Sequence, residues 1–154
     1  MLERFFFILG LVNSVLLIFI FLVRKNRLAL LRRIGWVYLL LAIPAAYGIF
    51  LVAQEQKTVR YSIFLGIFLA FILVEWLFDY VLKINFRENW KRNWKCMVPN
   101  LALYYAMNHG FVVMPWKTSL ASGLIMLGLF VTQLIASLRS HPKIGGQSVT
   151  PSKV

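Results

Sequence analysis

The residues that could do chemistry in this chain are few, and the clearest are two acids and one histidine inside apolar segments. Glu75 and Asp79 are spaced i, i+4 in the apolar stretch that ends before Lys83, and His109 lies in a later stretch. Ionisable groups are costly inside a bilayer and usually face the interior of a helical bundle. A carboxyl and an imidazole can both titrate near neutral pH once their surroundings perturb them. Glu75 and His109 are therefore the first candidates for a functional site, whereas Asp79 is interpreted as the partner of Lys83 in an interfacial ion pair.

A polar cluster can be assembled around Glu75 from residues at a similar expected depth. Glu75 lies eight residues before Lys83, or about 12 Å along a helix, and His109 lies eleven residues after Val98, or about 16 Å. Such a cluster has two interpretations. It could act as a proton relay or a solute site, or its hydrogen bonds could simply hold the helices together. The predicted intramembrane cluster consists of Asn13, Glu75, Tyr104, Asn108 and His109.

The composition excludes a soluble globular fold. Of the 154 residues, 60% are hydrophobic and 14% are charged, and the mean hydropathy is +0.75. A soluble domain has roughly 45–50% apolar and about 25% charged residues. Five crossings of about 20 residues each would use about 100 residues. No room then remains for a catalytic domain outside the membrane, so any chemistry must take place within the bilayer or at its surface.

The apolar segments predict an all-α integral membrane protein with a bundle of five transmembrane helices in one domain, residues 1–138. The fourth segment is the weakest, because it contains Pro99, Asn100, Asn108 and His109. An alternative with four crossings and a re-entrant fourth segment stays open. Residues 139–154 are polar and predict a disordered cytoplasmic tail. The predicted spans are 5–23, 35–53, 61–82, 98–115 and 119–138.

The basic residues predict the orientation of the bundle. With five crossings, thirteen of the 17 Lys and Arg residues fall on one side, and the remaining four, Arg4, Lys57, Arg60 and Lys117, fall on the other. Cytoplasmic loops collect Lys and Arg, so the N-terminus is predicted outside and the C-terminus in the cytoplasm. The net charge of +12 is thus a signal of topology and not of nucleic-acid binding. Short links and the lack of a soluble part favour a prokaryotic plasma membrane.

Residues 84–97 have the pattern of a short cytoplasmic interfacial helix. At about 100° per residue, the aromatic side chains fall on one arc and the basic side chains on the opposite arc. Such a helix lies in the membrane interface and contacts anionic lipid headgroups. The alternative is a plain basic loop with interfacial tryptophans. The predicted lipid-contacting residues are Phe86, Arg87, Trp90, Lys91, Trp94 and Lys95.

Two further features concern a helix kink and the limits on catalysis. Pro44 lies near the centre of the second span and predicts a kink, because proline lacks an N–H and clashes with the carbonyl of Leu40. Cys96 is the single cysteine, so a cysteine-based metal site and an intramolecular disulfide are excluded. The sequence contains no glycine-rich phosphate loop, no HExxH and no nucleophile elbow. It predicts no metal and no cofactor.

Three functional classes follow from these features. The first is transport of an ion or small solute through the intramembrane cluster. The second is an accessory or scaffold subunit, which would form a homo-oligomer or join a membrane complex. The third is a membrane-embedded lipid-modifying enzyme, for which a Glu75/His109 acid–base pair would be the only candidate. The enzyme is the least favoured, and neither the substrate nor the oligomeric state is predicted.

Overall fold

The structure, a computed structural model, describes residues 1–24, 35–82 and 94–140, and these contain helices and turns but no strand. A π-helical turn, Leu77–Val81, continues the third helix. A short helical segment over residues 35–39 precedes the second helix. The α-helices are α1 (Leu2–Arg24), α2 (Ala42–Gln54), α3 (Val59–Trp76), α4 (Trp94–Thr118) and α5 (Leu120–Ser140).

Within the described residues, four helical segments are long and apolar enough to cross a membrane, with mean hydropathies from 1.8 to 2.9. They are Leu2–Val23, Gly35–Gln54, Val59–Trp76 and Leu120–Ser140. Large apolar side chains such as Phe19, Leu73 and Leu138 are exposed on the outside of the bundle. A soluble protein rarely exposes so much apolar surface. The chain is therefore a membrane-embedded helical protein.

The segment predicted as the fourth span is one continuous α-helix of 25 residues, although it contains Pro99 and Pro115. It is not among the four apolar segments, because polar residues, among them Asn100 and Asn108, lower its hydropathy. At about 1.5 Å per residue it is about 37 Å long, which exceeds the roughly 30 Å hydrocarbon core of a bilayer. Length alone would thus let α4 cross the membrane, whereas composition does not single it out.

The helices form a closed ring. From α2 to α5, each helix packs against the next one along the chain. Helix α1 packs against both α2 and α5, which closes the ring, and it also contacts α4. At one end of the ring the N-terminal amino group pairs with Glu55 at 3.6 Å, and Lys57 pairs with Glu3 at 3.4 Å. We call this the N-terminal end, and it also holds Ser119. The opposite end, which we call the basic end, is where α1 stops and α4 starts.

The second span is interrupted close to Pro44, where a kink is predicted. Leu40 and Leu41 form a turn between residues 35–39 and α2. The Leu41 N–H donates to the carbonyl of Tyr38, and the Ile43 N–H donates to the carbonyl of Leu40, both at 3.1 Å. Proline at position 44 cannot donate to Leu40. The neighbouring amide of Ile43 takes its place and tightens the chain locally.

Several boundaries differ from the predicted ones. The α-helical part of the third span ends at Trp76, and α4 extends beyond residues 98–115 at both ends. Trp94 and Lys95, predicted in the interfacial helix, lie in the first turn of α4. Outside the described residues lie the rest of the predicted lipid-contacting set, Phe86, Arg87, Trp90 and Lys91, and the tail after Ser140.

Candidate functional site

Each helical segment that the structure describes contributes at least one polar side chain to the interior of the bundle. Apart from Glu75, which is half-buried, these side chains belong to residues that expose less than a tenth of their surface. Four of them come from the predicted cluster, while Tyr38, Asn100 and Gln133 do not. We call this set the polar core, and it consists of Asn13 on α1, Tyr38 before α2, Glu75 on α3, Asn100, Tyr104 and Asn108 on α4, and Gln133 on α5.

Asn13 anchors the polar core near the middle of α1. Its side chain is fully buried, and its Oδ1 accepts a 2.9 Å hydrogen bond from the Tyr38 hydroxyl. Its Nδ2 points to the Met107 sulfur at 3.9 Å, which is a weak acceptor. A buried amide needs such partners, because an unpaired polar group is costly in an apolar interior. Asn13 thereby joins α1 to the start of the second span and to α4.

Glu75 lies nearer the basic end of the bundle, at the penultimate position of α3. Its Oε1 accepts a hydrogen bond of 2.8 Å from Asn100 Nδ2 on α4. The carboxylate also lies within electrostatic range of the Tyr38 hydroxyl, which in turn is bonded to Asn13. The π-helical turn Leu77–Val81 begins two residues after Glu75. Such turns are frequent at functional sites.

Tyr104 and Gln133 link α4 to α5. The Tyr104 hydroxyl donates to Gln133 Oε1 at 3.1 Å, and Gln133 is fully buried. Gln133 Nε2 has no hydrogen-bond partner among the residues that the structure describes. Asn108 is buried beside them, and its Nδ2 donates to the backbone carbonyl of Tyr104 at 2.9 Å. The polar core therefore contains one buried amide donor that no described side chain satisfies.

His109 does not lie with the other members of the predicted cluster. It is exposed on the outside of the bundle, where its ring centroid lies 6.2 Å from that of Phe64 on α3. Asn100, Tyr104 and Asn108 are spaced i, i+4, i+8 and form a stripe that faces inward. His109 directly follows Asn108, and one step along the helix rotates its side chain by about 100° away from this stripe. His109 also lies about 13 Å along α4 from Asn100, the partner of Glu75. The structure therefore does not form a Glu75/His109 acid–base pair.

The interior between the polar core and the N-terminal end is aromatic. The ring of Phe6 lies 5.2 Å from Tyr61 and 5.1 Å from Phe111, and the rings of Phe68 and Phe111 are 5.3 Å apart. Phe6, Phe68 and Phe111 are almost completely buried. These close ring contacts are typical of tightly packed aromatic clusters. We call Phe6, Phe68 and Phe111 the aromatic plug, and it separates the polar core from the N-terminal end.

The arrangement limits the chemistry that the site can perform. No group of three or more His, Cys, Asp or Glu residues comes together within residues 1–24, 35–82 and 94–140. The polar core instead offers one carboxylate, two phenolic hydroxyls and four amides. Hydroxyls and amides can both donate and accept hydrogen bonds, and the carboxyl can hold or release a proton. Proton handling and the binding of a small polar solute are the reactions that this set of groups can support.

The predicted cluster lacked three members of the polar core, which are Tyr38, Asn100 and Gln133. Gln133 carried a usable signal, because it is the only glutamine inside the last apolar segment. Tyr38 carried none, because a tyrosine near the start of a span is also typical of the membrane interface. Asn100 stood on the polar stripe of α4, and its bond to Glu75 depends on how α3 and α4 are rotated.

Comparisons of this chain with protein-family models, with curated proteins and with solved structures found no match.

Proposed function

We propose that this protein transports protons or a small cation across the membrane, and that Glu75 is the group that carries the charge. The observation that supports this proposal is the bond between Glu75 and Asn100 inside a core to which every span contributes. Carboxyl groups within membrane segments are typical of ion pathways and proton relays. Simple packing between apolar helices would not require a carboxylate at this position.

The polar core suggests a route for the proton from the basic end to the middle of the bundle. Glu75 receives or releases the proton near the basic end, and Tyr38, whose hydroxyl is bonded to Asn13, lies within electrostatic range of Glu75. A phenolic hydroxyl can accept one hydrogen bond while it donates another, so Tyr38 can orient a water or a small cation beside Glu75 while it stays bonded to Asn13. Gln133 Nε2 provides a donor for a solute or water that enters from the same side.

The aromatic plug would close this route toward the N-terminal end. Transport by such a bundle requires that the core open alternately to each side, or that the plug move aside for a proton. The contacts of Phe111 with both Phe6 and Phe68 make it the centre of the barrier. We infer that the described conformation is closed at the N-terminal end, and that movement of α4 against α1 would open it.

The same proposal includes five crossings, an outside N-terminus and a cytoplasmic basic end in a plasma membrane. The length of α4 and the charge distribution support it. The amphipathic segment 84–97 would then lie on the cytoplasmic surface between α3 and α4 and contact anionic headgroups. The exposed side chains of Trp94 and Lys95 at the start of α4 agree with that position.

The test is proton flux into liposomes that contain the purified protein and a pH-sensitive dye. A potassium diffusion potential, negative inside, drives protons inward, and the initial rate of acidification is measured. We expect the wild type to exceed empty liposomes, and Glu75→Gln to lose most of the excess. The matched control is Glu3→Gln, which removes an exposed carboxylate at the N-terminal end and should keep the flux. Repeating the assay with a sodium gradient distinguishes a proton from a small cation.

Two results would contradict the proposal. One is a wild type that is no more permeable than empty liposomes to protons and to sodium. The other is a Glu75→Gln variant that transports as well as the wild type. Either result, with a partner protein that co-purifies in stoichiometric amount, would favour the accessory or scaffold subunit instead.

A further inference from the structure

A second site lies at the N-terminal end, in a groove between α3 and α4 that the proposed transport does not use. The groove has a volume of about 270 Å³, and it is open to the outside of the bundle. It is lined by Arg60, Ile63, Phe64, His109, Val113, Met114 and Lys117. Two cations, a histidine and four apolar residues thus share one elongated surface.

The two cations lie at the mouth of the groove. Arg60 is the second residue of α3, and Lys117 is the penultimate residue of α4, so both lie where the helices end. Both side chains are exposed. The ion pairs among the described residues join Met1 to Glu55 and Lys57 to Glu3, and neither involves Arg60 or Lys117. The mouth therefore presents two positive charges that no described carboxylate neutralises.

The walls of the groove are apolar and continue toward the middle of the membrane. Ile63 lines the groove from the second turn of α3, and it is more than half exposed. Gly110 lets the Phe64 ring lie directly against α4, since a Cβ at Gly110 would come within 2.8 Å of three Phe64 carbons. The Phe64 ring thus forms part of the apolar wall, together with Ile63 and Val113, against which a hydrocarbon chain can pack.

His109 adds a polar group at the inner end of the groove, eight residues or about 12 Å along α4 from Lys117. Its ring lies beside Phe64, which is one helical turn, or about 6 Å, below Arg60. From its mouth to its inner end, the groove thus offers positive charge, then apolar surface, then the imidazole of His109.

From this order of groups we propose that the groove binds one anionic phospholipid of the leaflet at the N-terminal end. Its phosphate would contact Arg60 and Lys117, and an acyl chain would lie along Ile63, Phe64 and Val113 toward His109. Anionic lipid phosphates attract Lys and Arg at the membrane surface. This site is distinct from the predicted lipid contacts of residues 84–97, which belong to the basic end.

The test is native mass spectrometry of the detergent-purified protein titrated with phosphatidylglycerol or phosphatidylcholine of identical acyl chains. We expect one phosphatidylglycerol to remain bound at a concentration about tenfold or more below that needed for phosphatidylcholine. The double variant Arg60→Gln/Lys117→Gln should lose this preference. The matched control is Arg4→Gln/Lys57→Gln, which removes two exposed cations from the same end and should retain it.

A second variant separates the groove from general surface charge. Val113→Trp fills the apolar wall without changing any charge, and it should weaken phosphatidylglycerol binding about as strongly as the loss of both cations. The proposal would be overturned if the two lipids bound equally well, or if the control variant lost the preference for phosphatidylglycerol to the same extent. Displacement of the lipid by excess inorganic phosphate would also overturn it. Retained binding in Val113→Trp would likewise overturn it.

Discussion

The Nδ2 of Asn100 donates to the Oε1 of Glu75 at 2.8 Å, and this bond joins the last turn of α3 to the second turn of α4. The two residues are 25 positions apart in the chain. They lie on opposite sides of the connection between the two helices, so the bond fixes one end of the α3–α4 pair. It also supplies the carboxylate with a donor inside the bundle.

Replacing Asn100 with leucine should destabilise the protein. The substitution removes one donor from the Glu75 carboxylate, and the loss of a hydrogen bond to a buried or charged partner costs about 1–3 kcal/mol. The free energy of unfolding in detergent, measured with denaturant, checks the prediction. The control is Thr132→Val, which removes an exposed hydroxyl that donates to the Gly128 carbonyl at 2.8 Å. Equal stability of Asn100→Leu and the wild type would contradict the importance of the bond.

The Tyr104–Gln133 pair should behave as a coupled unit. Tyr104→Phe leaves the buried Gln133 Oε1 without its donor, and Gln133 Nε2 already lacks a described partner. We expect this single change to cost about 1–3 kcal/mol of unfolding free energy. Adding Gln133→Leu replaces the stranded amide with an apolar side chain and should recover part of the loss. A double-mutant cycle measures the coupling, and strictly additive effects would count against it.

Two glycines on α5 should respond in opposite ways to alanine. A Cβ at Gly123 would lie 2.5 Å from Trp116 Cε3 and 2.9 Å from the Trp116 Cα, whereas nothing lies within 4 Å of a Cβ at Gly128. Gly123→Ala should therefore lower the stability by about 1–3 kcal/mol through overpacking. Gly128→Ala should be neutral or stabilising, because alanine favours helix. Melting temperatures in detergent compare the two, and similar melting temperatures would refute the close approach of α4 and α5.

Single cysteines should report five crossings and the proposed orientation. In a Cys96→Ser background, Gln56→Cys and Ser119→Cys should both react in intact cells with a thiol reagent that does not cross membranes. Both residues are exposed at the N-terminal end, so they should label from the outside. Ser140→Cys at the basic end serves as the control and should react only after the cells are opened. If Gln56→Cys and Ser119→Cys label from different sides, α4 does not cross the membrane.

Hydropathy predicted the helices because it depends on the average composition of long segments. The starts and ends of α1 and α5 fall within a few residues of the predicted spans. The predicted span 35–53 matches the apolar segment Gly35–Gln54, of which α2 is only the part after the turn at Leu40 and Leu41. The third span is different, because its last turns become π-helical after Trp76. Hydropathy cannot detect that change, since it depends on which backbone carbonyl each amide reaches.

The contacts inside the bundle were harder to predict, because they depend on the rotation of each helix about its axis. His109 and Asn108 are neighbours in sequence, yet Asn108 faces the interior and His109 faces outward. The prediction grouped Asn108 and His109 because they have a similar depth along the helix, but the rotation from one residue to the next points their side chains in different directions. The predicted cluster did not include Tyr38 and Gln133. They belong to the polar core because the rotation of their helices turns both side chains inward.

The single residue between α4 and α5 has a consequence for how the chain enters the membrane. Only Ser119 separates the two helices, and Gly123 packs against Trp116 across this turn. A helix with as many amides as α4 partitions poorly into lipid by itself. Its neighbour α5 is strongly apolar and is synthesised next. We expect α4 to wait beside the insertion machinery until α5 emerges and then to enter with it, so that a ribosome stalled before α5 would leave α4 uninserted.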